Sequence, residues 1–234
     1  VKGVQARLMQ KSNETAVENG VAVGFGFPNR TGYIIGKRLF NHKDLIKIEV
    51  LFKRLSWRSA LKRRVKWRFL VNFAGWISSL AIRFFLAIGG KSVADVKYTW
   101  VSTFDESINL FWEKVKDQYA IMVQRDFVYL NWRYCRKPDN TYHILRAELD
   151  GSLVGLIIVK YEDYKDARIG FIMESLAIKD SPVIDSLLKR GLMFLSRNKV
   201  DFVLARVSSS DPVKRAFYKK GFSQKEDVWN SHIV

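Results

Sequence analysis

The stretch from Arg168 to Phe222 constrains the fold of this 234-residue chain more than any other. Arg168–Ile178 reads as a strand. Asp180-Ser181-Pro182 then joins cap residues to a proline suited to a first helical turn, which predicts a helix over Pro182–Arg197. Asp201–Val207 reads as a second strand, Ser208–Asp211 as a cap, and Pro212–Lys220 as a short helix closed by Gly221. A strand–helix–strand–helix unit buries its apolar faces by laying helices on a sheet, which places the chain in the α/β or α+β class.

The residues before it carry the same regularity. Lys97–Ser102 is a strand candidate, and Ser107–Tyr119 a helix with Ile108, Phe111, Trp112 and Val115 on one face. Arg125–Cys135 reads as an aromatic-rich helix stopped before Pro138. Tyr142–Leu149 and Leu153–Tyr161 are strands meeting at Asp150-Gly151, a strong hairpin signal. The tail through Trp229 suits an edge strand. Nearer the start, Gly3–Asn19 suits a helix ended by Gly20, Val21–Phe27 a short buried strand, Tyr33–Phe40 a helix, and Leu45–Leu51 another strand.

Charge divides the chain. Residues 1–94 hold 18 Lys/Arg against four acids, and the other 140 residues hold 22 against 19, so most of the +17 lies in the first part. Lys53, Arg54, Arg58, Lys62, Arg63, Arg64, Lys66 and Arg68 interleave with Leu55, Trp57, Leu61, Val65 and Trp67, a basic amphipathic helix pattern. It runs into Phe69–Ile88, which just reaches the ~20 residues of a spanning helix. Arg83 would be costly in hydrocarbon, which favours a helix in the membrane interface or packed on protein over a span. The excess charge suits phosphate-rich partners: an anionic membrane surface through residues 53–88, a nucleic acid such as tRNA, or a nucleotide-bearing cosubstrate; a solvated basic face is the plain alternative. Cys135, the only cysteine, allows no intrachain disulfide and suits a reducing, cytoplasmic setting, with peripheral membrane attachment open. His42, His143 and His232 are scattered, so no metal-ligand spacing is present. The start at Val1, without methionine or the layout of a signal peptide, suits a fragment or a processed chain.

Two segments, Gly3–Phe40 and Pro182–Phe222, share one order of helix, apolar strand, polar cap with proline, basic short helix and phenylalanine. Residues 27–40 align without gaps on Ser209–Phe222, so that Asn29 meets Asp211 and Lys37 meets Lys219. A repeat and a chance likeness are both open.

The order of elements, with Glu174-Ser-Leu-Ala-Ile178 on the long strand and Ala216-Phe-Tyr-Lys-Lys-Gly-Phe222 at the end, resembles the GNAT superfamily of N-acetyltransferases over residues 96–234. Asn131-Trp-Arg-Tyr134 with Pro138 and Tyr142 resembles GNAT-like proteins of surface-polysaccharide clusters. Gly3–Phe40 resembles the second half of another such domain, with Lys2-Gly3-Val4-Gln5-Ala6-Arg7-Leu8-Met9 at the place of its phosphate loop. The resemblance implies a GNAT-like mixed central sheet flanked by helices (96–234), preceded by a partial copy (1–52) and a basic helical linker (53–95). It implies acyl transfer, most simply N-acetyl transfer from acetyl-CoA or another acyl-CoA, without a metal, to an amine such as a glycan amino sugar. Glu174 falls at the base and Tyr218 near the acid that protonates the leaving thiolate. Leu176, Ala177, Ile178, Asp180, Ser181 and Ser210 fall along the acyl-CoA track.

The sequence departs from the family at two points. The loop after Ile178 has no glycine to wrap a phosphate, and Phe217 fills the tyrosine position, leaving Tyr218 one step off. Asp180 and Ser181 read equally as a helix cap. Trp132, Arg133 and Tyr134 could line an acceptor groove or a core. Two further functions stay open: an aminoacyl-tRNA-dependent transferase, and a non-catalytic module at a membrane surface.

Overall fold

The computed structural model describes residues 3–26, 28–56, 95–138, 141–179 and 181–225. They fall into two compact units, a smaller one up to Glu49 and a larger one over Val50–Lys225.

The larger unit is built on a seven-stranded sheet. Its strands are β1 (Ile48–Arg54, from Val50 on), β2 (Val96–Val101), β3 (His143–Leu149), β4 (Ser152–Tyr164), β5 (Ala167–Ala177), β6 (Phe202–Ser208) and β7 (Ser223–Lys225), in the order β2-β3-β4-β5-β6-β1-β7. β2–β3, β3–β4, β4–β5 and β1–β7 pair antiparallel, whereas β5–β6 is parallel. A parallel pair needs a crossover, which the helix α5 (Val183–Arg197) supplies. The β3–β4 hairpin turns on Asp150 (φ 49°) and Gly151 (φ 73°), the two left-handed residues that match the twist of the strands.

Helices cover both faces of the sheet. On one face α5 and α6 (Lys214–Lys219) bury Leu187, Leu192, Leu195 and Phe217 against Val154, Ile157 and Val159 of β4 and Val203 of β6. On the other, α3 (Ser107–Val115) and α4 (Phe127–Leu130) bury Ile108, Phe111 and Leu130 against Leu153, Leu156 and Ile158. With both faces covered, β4 is apolar without alternation from Leu153 to Val159. α5 lies close on β4 because Gly155 has no side chain: a Cβ there would stand 2.9 Å from Leu187 Cδ1 and 3.1 Å from Val183 Cγ1.

Two irregularities shape one end of the sheet. In the β4–β5 ladder Ile158 faces Glu174 but Val159 faces Ile172, so Met173 is an extra residue. Such a bulge shifts the in–out alternation by one. Ile172 accordingly packs in the α5-side core, while Leu176 lies in the α3-side core. The second irregularity is a split. The β5–β6 ladder runs only from Ile169–Phe202 to Ile172–Ala205, although the strands continue to Ala177 and Ser208. Beyond Ile172 and Ala205 the two strands no longer share a ladder.

The helix expected over Arg125–Cys135 begins later. Asp126 caps it, its Oδ1 accepting the Tyr129 N–H at 2.7 Å, which leaves Arg125 outside. After Leu130 the backbone widens into a π turn over Asn131–Cys135. Buried Asn131 holds that turn, accepting from Phe104 N at 3.1 Å and donating to the carbonyls of Phe104 and Phe127 at 3.1 and 3.0 Å.

The smaller unit contains α1 (Val4–Glu18) and α2 (Arg30–Phe40), the latter capped by Asn29, whose Oδ1 accepts the Gly32 N–H at 2.8 Å. The strand expected over Val21–Phe27 does not form across residues 21–26, and Phe27 lies outside the described residues. Val21, Val23 and Phe25 are 49%, 71% and 50% exposed. A strand needs a neighbouring ladder, and this unit's described residues contain only the first two of β1. The strand expected at Leu45–Leu51 is instead Ile48–Arg54, because its register is set by β7: Val50 faces Lys225 and Phe52 faces Ser223. Lys53 and Arg54, read as the start of a basic helix, are therefore strand residues. The rest of that stretch from Trp57, the run Phe69–Ile88 and the tail beyond Lys225 lie outside the described residues. Among the described residues no helix is long and apolar enough to cross a membrane.

Candidate functional site

The bulge at Met173 and the split below it meet at Glu174, which stands where β5 loses β6 as a partner. It faces the α3–α4 side and is 8% exposed. Tyr134, brought inward by the π turn, donates its hydroxyl to Glu174 Oε1 at 2.7 Å. Arg125 Nε lies 2.9 Å from the same oxygen, a close ion pair whose N–H is not aligned for a hydrogen bond. Arg125 Nη1 donates to the Val123 carbonyl at 2.7 Å, and the guanidinium lies 5.0 Å from the centre of the Tyr129 ring. Burial opposes the Arg125 charge, but the Glu174 carboxylate and its surroundings outweigh it and hold the guanidinium above its usual range. Burial first, and then Glu174, push the Tyr134 hydroxyl well above the ordinary tyrosine range.

Two more groups converge here. Tyr119, just after α3, has a buried hydroxyl with no hydrogen-bond partner among the described residues. Burial, followed by the charges of Asp211 and Glu174, raises it far above its usual range. Asp211 sits in the turn between β6 and α6, where its Oδ1 accepts the Val213 N–H at 3.0 Å. Burial raises its carboxyl to about 6; the Glu174 charge adds to this, and the Val213 N–H and Lys214 oppose it. Glu174, Tyr134 and Arg125 are thus in direct contact, and Asp211 and Tyr119 are near enough for the Glu174 charge to act on them. Together they can attract a cation and exchange a proton near neutral pH.

The other residues anticipated from sequence scatter along this track. Leu176 and Ala177 are buried in the part of β5 that has left β6. Ile178 is tied back to β4, its N–H donating to the Val154 carbonyl at 3.1 Å, and its own carbonyl accepts the Ser181 N–H at 3.2 Å. Ser181 Oγ accepts the Val183 N–H at 3.3 Å across a tight turn, but Pro182 holds the cap position of α5 and no side-chain hydrogen bond caps that helix. Asp180 lies outside the described residues. Ser210 is exposed, its hydroxyl 3.5 Å from that of Ser208. Tyr218 is 42% exposed and no hydrogen bond joins it to Glu174, whereas Phe217 is fully buried, edge-on to Phe222 at 5.1 Å. The Trp132–Tyr134 trio divides: Trp132 and Arg133 are exposed, and Tyr134 turns in to Glu174.

At the N-terminal end of α5, Asp185 is flanked by Lys219 at 3.8 Å and Lys220 at 3.9 Å. Lys53 is close enough that burial first, and then Lys220, lower its ammonium pKa. Arg125, Tyr119 and Asp211 were not anticipated as site residues. Only Asp211 carried a signal, its alignment with Asn29; Asn29 caps α2, whereas Asp211 bonds the N–H of Val213, the residue ahead of α6, and no side-chain hydrogen bond caps that helix.

No family model matches the sequence, and no curated protein matches it. Solved structures do match the fold. A conserved protein of unknown function from Enterococcus faecalis V583, described as a probable N-acyltransferase, superposes with a TM-score of 0.62 at 10% identity, over 100% of this chain and 48% of that one. A GCN5-related N-acetyltransferase from Anabaena variabilis ATCC 29413 gives 0.56 at 14% identity, over 96% of this chain and 49% of that one. The chain spans about half the length of each. At these identities the likeness establishes the fold, a mixed α/β architecture of the GNAT type.

Proposed function

We propose that residues 95–225 carry out acyl transfer of the GNAT type, from an acyl-CoA thioester, acetyl-CoA in the simplest case, to an amine. The observation that carries this reading is the split between β5 and β6 with Glu174 at its throat. Strand edges that have lost each other as partners suit an extended arm that carries its own amides. The N–H groups of the first turn of α5 suit a pyrophosphate. The glycine-free loop is offset by Lys219 and Lys220, which bring two cations to that helix end. The residues present thus fit the cosubstrate, whose thioester would supply the acyl group.

The chain's own residues do the rest. Glu174 and Asp211 draw a protonated amine to the split, and Arg125 and Tyr134 fix the Glu174 carboxylate. Tyr129 and exposed Trp132, 5.9 Å apart, offer an aromatic surface beside Arg125 that suits an amino-sugar ring. The smaller unit reads as a partial copy of the α5–α6 half of the same fold, supported by the gapless alignment of residues 27–40 on Ser209–Phe222.

Titration calorimetry with acetyl-CoA is the direct test. Binding is expected, and reversing two charges in Lys219→Glu/Lys220→Glu should weaken it about tenfold or more. Absence of binding by the unaltered chain to acetyl-CoA and to longer acyl-CoAs would sink the reading.

A further inference from the structure

Resting on that function, we infer that the acceptor is an α-amino acid, its amine received by Glu174 Oε2 and its carboxylate by Arg125 Nη2. The two side chains come from different elements, Glu174 from the bulged part of β5 and Arg125 from the loop between α3 and α4. They meet along one side only. Glu174 Oε1 takes both the Tyr134 hydroxyl at 2.7 Å and the approach of Arg125 Nε at 2.9 Å. Arg125 Nη1 is engaged by the Val123 carbonyl at 2.7 Å. That leaves one acceptor, Glu174 Oε2, and one donor, Arg125 Nη2. Neither has a hydrogen-bond partner among the described residues, and unlike Arg125 Nε neither is sealed from solvent. Each shares a carbon with an atom of the ion-pair contact. An open acceptor and an open donor of opposite charge therefore stand within the reach of one small molecule.

A simple amine answers half of this pair. Once water is expelled it fills Glu174 Oε2 and leaves a guanidinium nitrogen without a partner, a loss that is large for a charged group. An α-amino acid carries the reverse polarity on two adjoining groups. Laid against the pair, its ammonium faces the carboxylate and its carboxylate faces the guanidinium, so the charges alternate and both hydrogen bonds are charge-assisted. The ligand has little ordering to do. The Tyr134 hydroxyl, the Val123 carbonyl and the Tyr129 ring, 5.0 Å from the guanidinium, already hold both side chains. The Tyr129 ring beside Arg125, with exposed Trp132 5.9 Å from it, is the surface left for the substituent on the α-carbon.

The test follows thiol release from acetyl-CoA by the full chain with matched acceptors: phenylalanine, leucine and alanine, the methyl ester of each, and glucosamine. For the best amino acid kcat/KM is expected to exceed that of its ester by at least about 30-fold, because a site built to bond a group rejects the analogue without it. Glucosamine, an amine with no carboxylate, should be as poor as the esters. Arg125→Lys keeps a cation but loses the planar fork, and should cut the acid-to-ester ratio about tenfold or more, mostly through KM. Circular dichroism checks that this variant folds; where it does not, the ratio in the unaltered chain decides alone. A smaller ratio in the unaltered chain overturns the inference. So does glucosamine outpacing every amino acid, or a folded Arg125→Lys chain that keeps the ratio. In each of these cases an amine is still acylated and the acyl-transfer reading stands. An unaltered chain that transfers from no acyl-CoA to any amine overturns that reading and this inference together.

Discussion

Removing Arg125 would leave the Glu174 charge inside the protein without its cation, held only by the Tyr134 hydroxyl. Both side chains are largely buried, so Arg125→Ala is expected to cost about 3–5 kcal/mol by urea unfolding, far more than loss of a surface pair. Tyr134→Phe, which removes one hydrogen bond to the same carboxylate, should cost about 1.5–3 kcal/mol. Asp211 has the opposite sign. Its carboxyl titrates near 6 in the folded chain against an ordinary value of 3.8, so folding binds its proton more tightly than the unfolded chain does. Any contribution is absent below the unfolded value, and a penalty builds as pH rises from about 4 through about 6, reaching the order of 3 kcal/mol above that. Asn can still accept the Val213 N–H, so Asp211→Asn should be more stable than the unaltered chain at pH 8, with the gain vanishing by pH 4. Urea midpoints at the two pH values check the sign. At this scale the sequence offered Glu174 through the resemblance of Glu174–Ile178 to a family strand motif. It could not offer Arg125 or Tyr119, which gain their roles only when a loop after α3 folds back over the sheet.

Helix α5 is held to the sheet where side chains are missing. Gly155→Ala would drive a methyl group toward Leu187, Val183 and the Leu176 carbonyl, all within 3.1 Å, and should cost about 1–3 kcal/mol in thermal unfolding. Because the displaced turn begins α5, coenzyme A binding should weaken in the same variant. Elements whose signals are local were legible in the sequence: the Asp150-Gly151 turn, the long strand before Pro182, α5, and the stop at Gly221, whose φ is 76°. Those decided by distant partners were not. β1 takes its bounds from residues 223–225, and Val21–Gly26 is apolar enough for a strand but lacks a described ladder to join. The bulge at Met173 is invisible to pattern reading, because one extra residue leaves composition unchanged while turning Glu174 to the other face.

The two units differ in how they are held together. Among the described residues of the smaller one only Gly36 and Glu49 are buried, and Leu8, Val17 and Leu39 are each more than 60% exposed. Segments without a buried core open at little cost. Brief trypsin treatment should therefore cut first among Arg7, Lys11, Arg30, Lys37, Arg38, Lys43 and Lys47, while a fragment holding residues 96–225 survives, as mass spectrometry of the digest would show. The larger unit gains its coherence from pairings distant in sequence, and the β1–β7 pair sets a timetable for its birth. β1 leaves the ribosome long before the sheet exists, whereas Val50 must meet Lys225 and Leu51 must meet Gln224. For the interval between, β1 waits with both of its edges open. Slowed translation between them would lengthen that exposure without altering a single residue of the finished fold.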